Sequence, residues 1–115
     1  MGAVEVVPLD AVAPVELPGG SWSRMLLTGG GACLGYSVFK PGTVTGAVKH
    51  EVEEVVYVVS GRGEIRLDDG AVPFAAGEAV RIAPGFWHAV ANTGDEDCAM
   101  VFGFPYPEYP PTERR

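Results

Sequence analysis

The chain is poor in the residues that most often carry chemistry. Among 115 residues there are two histidines, two cysteines, and only eight lysines and arginines together. Cys33 and Cys98 form no CxxC pair and lack the density of a secreted disulfide scaffold, so both are read as free thiols acting as small buried hydrophobes. No basic cluster is present to offset 15 acidic residues. A net charge of -7 and a pI near 4.6 leave nothing to neutralise nucleic-acid phosphates or to dock on anionic lipid. No apolar run approaches the roughly 20 residues that span a bilayer, and the opening stretch from Met1 to Val6 has neither the charged start nor the apolar run of a signal peptide. Nucleic acid and membrane are therefore not expected partners, and a cytoplasmic location is expected.

What is abundant points to a small β-protein. Hydrophobic residues make up 47% and charged residues 20%, a globular composition, and the length suits one domain over residues 1–115. The 16 glycines and 10 prolines are spread along the chain without a period, which interrupts every long helical pattern and favours short strands joined by turns. Val4 to Leu17, broken by Pro8 and Pro14, reads as a peripheral strand or arm. Ser21 to Leu27 and Ala32 to Phe39 read as a hairpin pair around Gly29-Gly30-Gly31. Glu54 to Val59 is a β-branched strand, and Glu64 to Leu67 runs into a hairpin tip at Asp68-Asp69-Gly70. Further short strands are expected at Ala71 to Phe74, Glu78 to Ile82, Trp87 to Ala91 and Cys98 to Phe104, for nine or ten in all, the pattern of a sandwich or barrel. From Pro105 the prolines bar a central strand, so an extended arm on the surface or on a partner is expected over 105–115, matching a first arm over about 1–20.

The two histidines, His50 and His88, each lie beside a turn at a strand end, where side chains can reach a barrel mouth. Around His50 the order is Gly42, five residues, Val48, Lys49, His50, three residues, Glu54, six residues, Gly61. Around His88 it is Gly77, five residues, Ala83, Pro84, Gly85, two residues, His88, three residues, Asn92. These segments resemble the two signatures of the cupin family, with Val48 in place of the first histidine and Ala83 in place of a proline. The resemblance spans residues 42–92. It implies an all-β fold, a single cupin domain forming a double-stranded β-helix or jelly-roll barrel. It also implies that His50, Glu54 and His88 are metal ligands, three of the family's four positions.

Physical chemistry agrees with that implied set. Alternation along a strand puts residues 48 and 50 on one face, and Glu54 can return to it after a turn. Two imidazoles and a carboxylate are the donor set of open iron or zinc sites and leave positions free, whereas a closed structural site normally carries four protein ligands. Iron, zinc, manganese and nickel all remain open as the divalent ion. Glu51 and Glu53 read as solvated acids, and Lys49 as pointing away from the site. Tyr36, grouped with Leu34 and Val38 on a strand expected to line the barrel, is the one weak catalytic candidate. Arg24, Arg66 and Arg81 are expected to face solvent, and Phe86, Trp87, Phe102 and Phe104 to pack near the mouth.

The resemblance does not name a reaction, since cupins include dioxygenases, isomerases, lyases and decarboxylases as well as non-catalytic binders. A metal-dependent small-molecule enzyme is the first expectation, with secondary-metabolite tailoring as one setting. In the 115 residues no DNA-binding or transporter segment accompanies the barrel, which favours the enzyme over the alternative, a binding or sensing module with a lapsed metal site. The scarcity of lysine, with Lys40 and Lys49 alone, suits coding from a GC-rich bacterial genome. A homodimer is expected, joined through the arms with Tyr106 and Tyr109 as anchors.

Overall fold

A computed structural model describes residues 2–115; Met1, where the expected N-terminal arm begins, lies outside the described residues. Short strands form where β-branched and aromatic residues cluster, and turns where glycine permits a left-handed backbone. The strands are β1 (Val15–Glu16), β2 (Trp22–Leu27), β3 (Cys33–Phe39), β4 (Val48–His50), β5 (Glu54–Ser60), β6 (Arg62–Leu67), β7 (Gly70–Ala75), β8 (Ala79–Ile82), β9 (Ala89–Ala91), β10 (Cys98–Phe104) and β11 (Thr112–Arg114). The glycines Gly42, Gly61, Gly77 and Gly85 of the two sequence signatures have φ of 82°, 80°, 88° and 82°. Each signature glycine is thus required by its turn, because a Cβ is strained in that region.

Two layers make a jelly roll, the double-stranded β-helix expected from the signatures. One is a six-stranded sheet in the order β1-β2-β3-β10-β5-β8. The other is built from β7-β6-β9 and the pair β11-β4, tied together by isolated antiparallel bridges Val44↔Ala91 and Val48↔His88. Between the layers lies a core that includes Val56, Val58, Ile65, Phe74, Cys98, Met100, Phe102 and Phe104. The connections are short, so a residue's strand parity decides whether it faces this core or the outside.

β5 illustrates the rule. Its sequence is apolar throughout from Val55 to Val59, yet only Val56 and Val58 are buried, while Val55, Tyr57 and Val59 are 41%, 51% and 45% exposed. The strand is half-buried, not a fully enclosed one. β3 follows the opposite parity from the one expected at Tyr36. Cys33, Gly35, Ser37 and Phe39 are its inward residues, and Leu34, Tyr36 and Val38 face outward. The cause is the Phe102 ring on β10, which fills the room above Gly35 so closely that a Cβ there would collide with it. Tyr36 stacks instead on Trp22, with ring centroids 6.1 Å apart.

The second departure is at the C-terminus. The arm from Pro105 does avoid the central sheet, but it does not stay a loose extension. Once past Pro110-Pro111, Thr112–Arg114 pairs antiparallel with β4 in the register Thr112↔His50, Glu113↔Lys49 and Arg114↔Val48. The amide of Gly29 donates to the Pro107 carbonyl at 2.7 Å and the Cys33 thiol donates to the Glu108 carbonyl at 3.3 Å, pinning the segment on the way. Among the described residues, no helix is long and apolar enough to cross a membrane.

Candidate metal centre

β4 delivers His50, the start of β5 delivers Glu54, and the turn before β9 delivers His88. His50 and His88 are buried, and Glu54 is half-buried beneath them. Nε2 of His50 lies 3.6 Å and Nε2 of His88 3.3 Å from the same carboxylate oxygen, Oε1 of Glu54. The three donor atoms lie within 4.8 Å of one another. Two donors that each sit about 2.1 Å from one ion can be at most about 4.2 Å apart, a limit that both contacts to Glu54 satisfy.

The ring of His88 is oriented from outside. Its Nδ1 is 3.0 Å from the Phe86 carbonyl oxygen, which can only accept, so Nδ1 carries a hydrogen and the lone pair of Nε2 faces the cluster. That lone pair meets a carboxylate oxygen, an arrangement that calls for a cation between them. Without a metal, the cation is a proton. Burial disfavours charge on His88, but its hydrogen bonds to Glu54 and to the Phe86 carbonyl, together with the Glu54 charge, outweigh burial and raise its pKa above the ordinary histidine value. For Glu54, burial pushes upward, yet bonding to His50 and His88 and their positive character hold the carboxyl below the usual range. The donor set therefore fits a divalent ion: two neutral imidazoles and one ionised carboxylate, with no thiol among them.

The cluster opens into a cavity of about 560 Å³ between the two layers. Met25, Phe39, Val48, Val90, Met100 and Phe102 give it apolar walls. Ser23, Ser37 and Thr45 add hydroxyls, and Arg114 is the one lysine or arginine among the described residues that line it. Tyr109 closes one side, its ring edge-on to His50 at 5.5 Å and to Phe104 at 5.4 Å. Burial, with smaller contributions from its surroundings, raises the Tyr109 phenol above its ordinary value, so it stays protonated at neutral pH. A smaller, largely apolar cleft of about 240 Å³ lies apart from the histidines, lined by Ile65, Phe74 and Phe86 among others.

The structure brings together His50, Glu54 and His88, and it places Val48 beside them on the cavity wall. It does not bring Tyr36 there: that hydroxyl is on the outer face of the six-stranded sheet. Lys49 turns away as expected, 3.1 Å from Glu113 and over the Trp87 ring. Glu53 points out to Arg81 at 3.2 Å, Arg66 pairs with Glu64, and Arg24 lies over Trp22. Phe102 lines the cavity and Phe104 packs under His50, whereas Phe86 is 59% exposed and Trp87 sits beneath Lys49 and Arg115. Three residues of the site have no counterpart in the sequence reading: Thr112, Arg114 and, in this role, Tyr109. Tyr109 packs its ring on its own barrel, against His50 and Phe104, while 39% of the residue stays exposed. The only local signal of Thr112 and Arg114 is a three-residue strand after two prolines, too short for a periodicity to register, and Tyr109 lies just before those prolines outside any strand.

The model of the Cupin domain family matches residues 35–104. The protein SchB of Streptomyces halstedii is 34% identical over 102 residues, which cover 84% of this chain and 74% of SchB. The polyketide synthase CurC of Streptomyces cyaneus is 33% identical over 102 residues, covering 84% of this chain and 66% of CurC. Among solved structures, the polyketide cyclase RemF from Streptomyces resistomycificus superposes with a TM-score of 0.81 at 22% identity, over 96% of this chain and 84% of that one.

Proposed function

The chain belongs to the cupin domain family, and from that premise we propose that it is a metal-dependent enzyme acting on a small, mostly apolar, carbonyl-bearing molecule of the polyketide class. The observation that carries the reading is the convergence of His50, Glu54 and His88 on one point at the wall of an apolar cavity. The polyketide class is taken from CurC, a relative named as a polyketide synthase. The same three residues would hold a divalent ion, which when bound supplies Lewis acidity to a carbonyl oxygen.

The chain's own side chains set the conditions for that chemistry. Met25, Phe39, Met100 and Phe102 exclude water and lower the local dielectric, which strengthens every charge interaction at the histidines. Val48 stands where a fourth ligand would otherwise project, so it would leave a coordination position of a bound ion open beside two methyl groups. The Ser37 hydroxyl donates to Ser23 at 3.1 Å, leaving hydroxyl lone pairs on the cavity wall to orient a polar substituent. Arg114 at the mouth suits a carboxylate or enolate on the substrate.

Protein purified without chelators is expected to carry about one equivalent of a divalent metal, and His88→Ala to lose it while retaining its β-sheet circular dichroism. The loaded protein is expected to convert a linear β-polyketone to a product of altered mass, and Glu54→Gln not to. A second reading, a non-catalytic small-molecule binder with a lapsed metal site, is favoured by Val48 alone. Native protein that neither holds nor takes up a divalent metal would establish that reading instead.

A further inference from the structure

The role of the C-terminal strand follows from counting hydrogens. Nδ1 of His50 is 2.8 Å from Oγ1 of Thr112, and that same oxygen is 2.8 Å from the Pro110 carbonyl. A hydroxyl has one hydrogen. The Pro110 oxygen can only accept, so if the hydroxyl hydrogen went to His50, two acceptor oxygens would face each other at 2.8 Å without a proton between them. The Thr112 hydroxyl therefore donates to Pro110 and accepts from the Nδ1–H of His50. This leaves the lone pair of Nε2 directed at Glu54 and His88.

Packing alone does not produce this. The edges and faces of Phe104 and Tyr109, at 4.9 and 5.5 Å from the His50 ring, fix the plane of the imidazole, but they are indifferent to a half-turn flip or to which nitrogen carries hydrogen. A polar partner is required to choose. Its register makes Thr112 that partner: it lies directly opposite His50 in the β4-β11 pair, so the two side chains share a face.

We propose that Thr112, carried on β11, is a positioning residue that locks His50 in the tautomer and flip state needed to ligate a metal, so that this three-residue strand sets the affinity of the centre. The ligand role rests on the metal reading above; the tautomer lock stands on the hydrogen-bond geometry. By this mechanism Phe86 performs for His88, through a backbone carbonyl, what Thr112 performs for His50 through a side chain. Only the second can be removed by substitution.

The test uses the full chain and cobalt(II) as the probe metal. Thr112→Val keeps the shape and the strand propensity of the side chain and removes the hydroxyl, so it is expected to fold, to melt close to the native temperature, and to bind cobalt about 10–100-fold more weakly. Thr112→Ser restores the hydroxyl and is expected to return affinity close to the native value. In the metal-free proteins, nitrogen-15 NMR of the imidazoles, compared at one mildly alkaline pH, is expected to show the Nδ1–H form at His50 in the native and serine proteins and a mixture in the valine protein. A valine variant that binds cobalt as tightly as native, or that keeps the pure Nδ1–H form, overturns the proposal. Native protein that takes up no cobalt overturns the metal reading and the ligand role together, and the NMR comparison still decides the tautomer lock.

Discussion

Val48 and His88 are directly opposed in an isolated antiparallel bridge, each amide donating to the other's carbonyl at 2.9 Å. Opposed residues in such a pair project to the same face, so the valine at the position of the missing ligand faces the cluster and stands beside the one imidazole that comes from the other signature. The substitution therefore changes the chemistry of the centre and not the outside of the barrel.

Val48→His is accordingly expected to add a fourth donor. Metal affinity, read by competition with a chelator of known strength, should rise by about tenfold or more, and turnover of a substrate that uses the open position should fall. Unchanged affinity and turnover would mean that residue 48 contributes nothing to the centre.

Gly63 has no room for a side chain. A Cβ at this position would land on the carbonyl oxygen of Ala91, which belongs to the paired backbone of β9 and cannot swing aside, and close to the Phe74 ring. Gly63→Ala is expected to cost about 3 kcal/mol or more and to lower the melting temperature by roughly 10–20 °C. Gly46→Ala, where nothing lies within 4 Å of the added carbon, is expected to stay within about 1 kcal/mol of native. Scanning calorimetry of the two variants checks the contrast.

Asn92, the last residue of the second signature, holds backbone and not ligand. Its Nδ2 donates to the carbonyls of Phe39 at 2.8 Å and Glu96 at 2.9 Å, and its Oδ1 accepts from the Gly94 amide at 2.9 Å. Asn92→Ala would remove one buried and two part-buried hydrogen bonds at a cost of about 2–3 kcal/mol, measurable by urea unfolding, with metal stoichiometry unchanged in the folded fraction.

Burial pushes the thiol of Cys98 up to about 11 from its ordinary 9.0, and that of Cys33 upward as well. Both are buried, so a disulfide-exchange reagent is expected to modify neither in the native protein and both after unfolding. The raised value means that between pH 9 and 11 the unfolded chain releases the Cys98 proton while the folded chain keeps it. Stability should be intact below about pH 9 and decline by about 2 kcal/mol as pH rises to about 11. Alkaline denaturation of native and Cys98→Ala proteins, with a shallower slope in the variant, checks the sign.

Much of this protein is determined by local sequence. The turns are written in glycines that must adopt positive φ, at Gly42, Gly61, Gly77 and Gly85, and the strands between them in β-branched and aromatic runs such as Glu54–Ser60 and Cys98–Phe104. The spacing of those glycines about His50, Glu54 and His88 is what resembles the cupin signatures, and that resemblance singles the three out. Two matters were decided only in three dimensions. The parity of β3, which sends Tyr36 outward, depends on the Phe102 ring lying over Gly35, and the alternating pattern of that strand is apolar enough on both faces to fit either parity. The hydrogen bond between His50 and Thr112 joins residues 62 apart in sequence, and nothing in a threonine after two prolines marks it as the partner of a distant imidazole. Backbone demands are local and therefore legible in residue types; a side chain's partner across the barrel exists only once the sheets have closed on one another.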